Sequence, residues 1–501
     1  MHRSFFTKRW HHDHNIVLYK HVFMMFVGDF FILNGGIMMT QTTLTYKTLE
    51  KNADTLTPVG IFKRLQGKKK FLLESSFQHE TKGKYSFIGA NPYEEVIGNH
   101  YQTKVVNLTT NEETTFNMST LDYLKAYFPK IETDIPLPFT GGAIGYVAYD
   151  AIREYYDIGE DLEDELQMPD YHFMLYETII VYEHRNEKAH IITINTNQAS
   201  EAELDTRLQQ TKEQLNQHMS IPDPDGFDIH FTPQIDQTTF INNVNKAKQY
   251  IQNGETAQIV LSQKMKAEIN GDPFSLYREL RTANPSPYMF YIDFSDYLII
   301  GASPESLVQT TGNEVVTNPI AGTRPRGETT GEDEALRIEL LQDKKEIAEH
   351  NMLVDLSKAD LATICSDSSI HVPIYQDVVK YEHVMHIVSE VHGKLKKEKT
   401  SLDALIACLP AGTVSGSPKE RAMQIINKIE TTKRGFYAGG IGYISFNHDI
   451  NLAISIRSLV IKDKQAYLQT GAGIVQDSVP EKEYHETLHK AKSLTNLNQP
   501  T

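Results

Sequence analysis

Residues 435–473 read GFYAGGIGYISFNHDINLAISIRSLVIKDKQAYLQTGAG, and their reading decides the fold class. Short apolar runs rich in Ile, Val and aromatic residues, broken by polar turns, predict a three-strand meander. Its GGIGY echoes GGAIGY at 141–146, and both motifs open β-rich stretches. An echo of this kind is a weak internal repeat, consistent with two related sheet halves.

Downstream, residues 470–490 read TGAGIVQDSVPEKEYHETLHK. Gly471-Ala472-Gly473 carries no bulky side chain, so a ligand can approach the main-chain N–H groups. Pro480 opens a helix at the position where its missing N–H costs nothing. Glu483, Glu486 and Lys490 fall on one face of that helix. A second E-x-x-E pair, Glu346 and Glu349, lies in KKEIAEHNMLVDL. Like charges three residues apart mildly destabilise a helix unless a cation sits against them. Two such pairs brought together would suit a hard dication such as magnesium. Alone, an E-x-x-E is usually a solvated helix face.

Upstream, a denser second segment holds predicted helices at 238–255, 273–283, 334–365, 378–395 and 416–430, with strands at 257–269, 288–294 and 297–317. PDPDG at 222–226 reads as the linker before it. The first segment shows a short helix at 56–65 and strands at 71–76, 83–92, 139–150 and 174–185. A polar helix at 200–219 closes it. This gives segments 40–220 and 236–495 of an α+β protein, antiparallel sheets with helices outside. Residues 1–38, crowded with His and Phe, do not match the rest. Asp29 interrupts their apolar run and no A-x-A site follows, so an extension upstream of Met38 or Met39 is the expectation.

Composition narrows the partners. The chain has 501 residues, 49 Lys plus Arg and 65 Asp plus Glu, a net charge of −16. That balance disfavours nucleic acid and anionic membrane surfaces. Two cysteines, Cys365 and Cys408, cannot form a disulfide framework and fit a reducing cytoplasm. Gly471–Gly473 lacks the third glycine of a dinucleotide loop, and GTVSGSPK at 412–419 is not a phosphate loop.

Nine stretches together resemble the chorismate-utilising enzymes, in the branch whose members make anthranilate. They are NPSPYMFY (284–291), GASPESL (301–307), NPIAGTRPRG (318–327), AEHNMLVDLSKADL (348–361), VMHIVSEVHG (384–393), PAGTVSGSPKERAM (410–423), GGIGYIS (439–445), IRSLVI (456–461) and GAGIVQDSVPEKEYHET (471–487). The resemblance spans roughly residues 40–495. It implies two orthogonally packed antiparallel sheets flanked by helices. It implies Mg2+ held directly by Glu349 and Glu486, with Glu346 and Glu483 behind them. Substrate contacts are implied for Gly322, Thr323, Thr413, Tyr437, Arg457, Gly471, Ala472, Gly473 and Lys490. Glu305 and His386 match the proton-transfer positions.

The implied reaction is attack of ammonia on chorismate and loss of pyruvate, with ammonia delivered by a separate glutamine amidotransferase subunit in a hetero-oligomer. L-Tryptophan is the implied feedback inhibitor. Its site would join Leu72-Leu73-Glu74-Ser75 to Pro287, Tyr288 and Met289. Sibling isochorismate synthases carry lysine where this chain has Gln258, and aminodeoxychorismate synthases where it has Ala321. A non-catalytic chorismate-binding regulator is the remaining alternative, opposed by the intact Glu305, His386 and acidic pairs.

Overall fold

The computed structural model describes residues 45–75, 84–219, 229–381 and 384–495, and the strands Phe26–Val27, Phe30–Leu33 and Gly36–Met39. Those three short strands pair antiparallel and belong to a separate unit, Met1–Leu44. The remainder, Thr45–Thr501, is one compact unit. The linker read at 222–226 lies outside the described residues.

Among the described residues of this unit the strands form two 12-stranded sheets, and each draws on both chain segments. In one, the two echoing motifs lie side by side. Gly142–Val147 pairs antiparallel with Gly440–Ser445 along its whole length, Gly145 facing Gly442. In the other, Phe71–Glu74 pairs with Tyr288–Asp293. The largest apolar cluster lies between the sheets, with Ile144 and Phe173 from one and Ile179 and Ile299 from the other. A fully buried side chain of this size contributes about 1.5–3 kcal/mol. Helices cover the outer face of the second sheet. Phe62 of Pro58–Arg64 stacks on Phe274 of Pro273–Ala283 at 4.4 Å, and Leu494 of Pro480–Thr495 joins the same layer. The α+β class with antiparallel sheets is thus observed.

Four sequence expectations are corrected. The candidate helix 378–395 is an antiparallel hairpin, His371–Lys380 with Val384–Lys394. Met385, Ile387, Val391 and Gly393 are buried at alternate positions, and the segment is rich in valine, which favours a pleated surface. The expected three-strand meander is four strands in two hairpins, one in each sheet. The single strand 174–185 divides at Glu177 into Tyr171–Tyr176 and Thr178–Glu183, again one in each sheet. The long helix region 334–365 breaks at Asp343, which ends Thr330–Gln342 and caps Lys344–Ile364 by accepting from the Lys345 and Glu346 N–H groups.

Candidate active site

Two of these sheet-to-sheet crossings place the central residues. Glu305 sits where the chain leaves Leu298–Ser303 for Ser306–Thr311, and Arg457 where it leaves Ile450–Ile454 for Ser458–Lys462. The crossings run together. Ile454 N–H donates to the Glu305 carbonyl and Ala302 N–H to that of Arg457, both at 3.0 Å. Crossing between sheets frees backbone from regular pairing, and Arg457 takes the left-handed φ of 52°.

Glu305 is 8% exposed, and Thr413 Oγ1 donates to its Oε1 at 3.0 Å. Burial pushes its carboxyl up to about 8, against smaller downward pulls from Thr413 and Lys490. It is therefore a neutral acid at pH 7. His386 lies on Val384–Lys394 with Nδ1 2.9 Å from the Gly322 carbonyl and 3.1 Å from Thr323 Oγ1. A carbonyl only accepts, so Nδ1 carries the proton and Nε2 keeps its lone pair. Burial holds this imidazole below its usual range, outweighing the Gly322 bond that raises it; nearby Arg457 lowers it further. Gly322 has φ 69°, and a Cβ there would stand 3.0 Å from Leu340 Cδ1 and 3.3 Å from Glu346 Oε2.

The acidic pairs arrive on two helices. Glu346 and Glu349 lie on Lys344–Ile364, Glu483 and Glu486 on Pro480–Thr495. Glu349 accepts from Gln258 Nε2 at 3.2 Å, and Glu486 lies 2.7 Å from Lys490 Nζ. Burial raises Glu346, with Glu349 and Asp343 adding to it. Burial also raises Glu483; Ser478 lowers it, Glu486 raises it, and Lys345 and Lys490 lower it. The pull of Lys345 brings the start of one helix near the other's acidic pair. Among the described residues no three His, Cys, Asp or Glu side chains form a ready-made metal cage. The donor set nevertheless suits Mg2+: hard carboxylate oxygens in mutually repelling pairs, beside a buried Gln258 Oε1 with no protein partner.

Lys490 and Gly471 complete the constellation. Lys490 Nζ donates to the Gly471 carbonyl at 3.0 Å, while the Lys490 carbonyl accepts from Arg457 Nη1 at 2.7 Å. A Cβ on Gly471 would meet Tyr437 Oη at 2.7 Å, and one on Gly473 would meet Gln258 Nε2 at 2.6 Å. Ala472 between them is buried against the helix Gln237–Gln252. Tyr437 is buried and pushed up to about 12 by that burial. Hydrogen bonds and mutual electrostatics thus link Glu305 to Thr413, His386 to Gly322 and Thr323, Glu349 to Gln258, and Lys490 to Glu486, Gly471 and Arg457.

Sequence reading missed three neighbours. The Tyr381 ring lies 5.4 Å from the His386 ring. Arg434, paired with Glu430 at 2.7 Å, lies 5.6 Å from the Tyr437 ring centroid. Arg324 stands 3.8 Å from Glu346. Only Arg324, inside GTRPRG, lay in one of the nine stretches already singled out.

The two expected effector pieces are adjacent strands, with Glu74 opposite Met289. Glu74 Oε2 already accepts from Tyr277 Oη at 2.6 Å and Arg281 Nε at 2.9 Å. Glu74 Oε1 and Ser75 Oγ have no partner among the described residues. Pro287 and Met289 are buried, and Tyr288 is half-buried.

A fold of two interleaved antiparallel sheets, with Glu305 and Arg457 at crossings between them, His386 on a strand and the acidic pairs on two helices, matches a family described as chorismate binding enzyme over residues 68–496, and the chain belongs to that family. More particularly, it is 44% identical over 459 residues to anthranilate synthase component 1 of Lactococcus lactis subsp. lactis (strain IL1403), covering 90% of this chain and 100% of that one. The corresponding protein of Acetivibrio thermocellus is 42% identical over 474 residues, covering 91% and 96%. The crystal structure of anthranilate synthase component I from Streptococcus pneumoniae TIGR4 superposes with a TM-score of 0.77 at 41% identity, covering 89% and 98%. The menaquinone-specific isochorismate synthase of Escherichia coli, 20% identical with a TM-score of 0.68 and covering 92% and 97%, shares the fold.

Proposed function

We propose that this chain converts chorismate and ammonia to anthranilate, pyruvate and water; its relatives at 42–44% identity carry the name anthranilate synthase component 1. The observation that carries this reading within the family is the side chain at 258. It is an amide bonded to Glu349, and Ala321 lies across from Ile387, so neither position offers an amine to activate water or attack the ring.

Arg457 and Lys490, linked to each other and to Gly471 by hydrogen bonds, supply the cations that fix the substrate carboxylates, with the N–H groups of residues 471–473 as further donors. Ammonia bonds to C2 as the ring electrons shift and the C4–O bond breaks. Glu305, neutral at pH 7, gives its proton to the departing oxygen, which leaves as water. The amine's surplus proton passes to solvent. His386 then takes the C2 proton at Nε2 as the ring C3–O bond breaks, and the departing enolate takes up a proton, such as the one His386 now carries, to become pyruvate. Thr323 and the Gly322 carbonyl keep that nitrogen aimed inward by holding Nδ1.

Glu349 and Glu486, seconded by Glu346 and Glu483, would hold Mg2+. When bound, the ion supplies Lewis-acid polarisation and a template for the ring carboxylate.

Ammonia comes from a separate amidotransferase. Two facts support this: the relatives are named as component 1, and both cysteines are buried thiols. Burial pushes Cys365 up to about 11 and Cys408 higher, the opposite of a nucleophile's environment. Tryptophan is proposed to bind between Ser75 and the 287–289 strand start, using the unpartnered Glu74 Oε1 and Ser75 Oγ, and to inhibit. Among the described residues no helix is long and apolar enough to cross a membrane.

The decisive assay supplies the purified chain with chorismate, magnesium and an ammonium salt. Fluorescent anthranilate and equimolar pyruvate are expected. Isochorismate or an aminodeoxychorismate product without pyruvate would overturn the reading.

A further inference from the structure

Glu305 and Thr413 also line a small cavity whose other walls the chemistry above does not use. It measures about 30 Å³, and its walls include Glu305, Ser306, Thr317, Ser357, Asp360 and Thr413. About 10–15 Å³ is enough to seat one water, so this space seats one or two. Two of its walls call for them. Ser306 Oγ and Thr317 Oγ1 belong to residues 5% exposed and have no partner among the described residues. Buried hydroxyls are nearly always hydrogen-bonded, to ordered water where no protein group serves.

The Glu305 carboxyl, held by its Thr413 bond, forms part of the wall. Asp360, also in the wall, accepts from Lys419 Nζ at 2.7 Å, with side chains 18% and 10% exposed. Lys419 also donates to the Ala407 carbonyl at 3.1 Å. On its substrate side Glu305 faces Lys490 and Tyr381. The Cys408 thiol, also in the wall, is kept protonated by burial.

We propose that this cavity is a proton-return path, in which waters held by Ser306 and Thr317 link Glu305 to solvent past the Asp360–Lys419 pair. The idea rests on Glu305 acting as the acid. When its O–H breaks and the proton joins the leaving oxygen, a carboxylate remains. The substrate side is then covered by the molecule just protonated. A cavity water gives its proton to that carboxylate while taking one from the next water outward, and the chain ends at solvent. The proton shed to solvent by the new amine balances the one taken up, so no other reactant is needed.

Thr317→Val removes the hydroxyl at nearly constant shape. With ammonium as nitrogen source, kcat is expected to fall roughly tenfold, a fraction of the 10²–10⁴ that acid catalysis supplies. KM for chorismate should stay within about twofold, and the solvent deuterium isotope effect on kcat should rise. Ser306→Ala should act in the same direction. Thr317→Ser keeps the hydroxyl and should restore most of the turnover, which a loss of packing would not allow. The proposal is overturned if Thr317→Val and Ser306→Ala keep wild-type kcat and isotope effect, or if Thr317→Ser is as slow as Thr317→Val. Glu305→Gln separates the two layers. An inactive Glu305→Gln beside a normal Thr317→Val leaves the acid and removes the path, whereas an active Glu305→Gln removes both.

Discussion

Glu305 shows how one side chain is set for its task by where the chain crosses between sheets. Its ordinary value is 4.5 and burial carries it to about 8. The folded protein therefore favours the protonated form. Stability from this group is complete below pH 4.5 and declines as pH rises to 8, by on the order of 1.4 kcal/mol per unit. Glu305→Gln should accordingly cut turnover at least about 100-fold while melting higher than wild type at pH 9. Thermal melts at pH 4.5 and pH 9 test the second half; a variant less stable than wild type at both would mean the carboxyl is a structural partner. The acidic pairs yield a different test. Glu349→Gln should abolish magnesium-dependent turnover, and magnesium should raise the melting temperature of wild type but not of the variant, as binding to the native state requires. An equal magnesium shift in both proteins would remove Glu349 from the metal.

At the scale of elements, the paired strands Phe71–Glu74 and Tyr288–Asp293 bring two sequence pieces more than 200 residues apart into one surface. Ser75→Phe places a ring at the end of that pair, beside Glu74 Oε1. Tryptophan inhibition should be lost with activity kept within about threefold, since Ser75 lies outside the catalytic constellation; this is the expected sign of an allosteric site. Undiminished inhibition in Ser75→Phe would place the effector elsewhere. The same scale shows what the sequence made legible. Glu346, Glu349, Glu483 and Glu486 were readable because helical spacing is local, and Gly471–Gly473 because small residues announce close approach. His386 was legible only through family motifs, since its strand 384–394 had been read as a helix. Valine and isoleucine at mixed spacings fit either period until a pairing partner is known, and that partner, His371–Lys380, was not read as a strand at all. Ser306 and Tyr381 lay in stretches already read, yet neither they nor Thr317 stood out individually, for a related reason. Their roles depend on the third dimension, and nothing in their sequence neighbourhood departs from an ordinary strand or turn.

At the scale of the molecule, both sheets are closed by strands from the two segments. Residues 45–219 produced alone would leave Gly142–Val147 and Phe71–Glu74 each without one of their two partner strands, and half of the apolar layer between the sheets uncovered. That fragment should lack a cooperative melt, whereas the full chain should unfold without an intermediate in which only one segment is folded. A sharp, independent transition for the fragment would contradict this. There is also a consequence for synthesis. The strand Gly142–Val147 is paired on one side by Tyr171–Tyr176, made soon after it, but on the other by Gly440–Ser445, about 300 residues later. At roughly 5–20 residues per second, the ribosome takes on the order of 15–60 s to supply that second neighbour. Through that interval a fully apolar central strand offers an open edge to any other nascent chain, so the yield of soluble protein should depend on elongation speed and on chaperones that shield the edge until the last hairpins emerge.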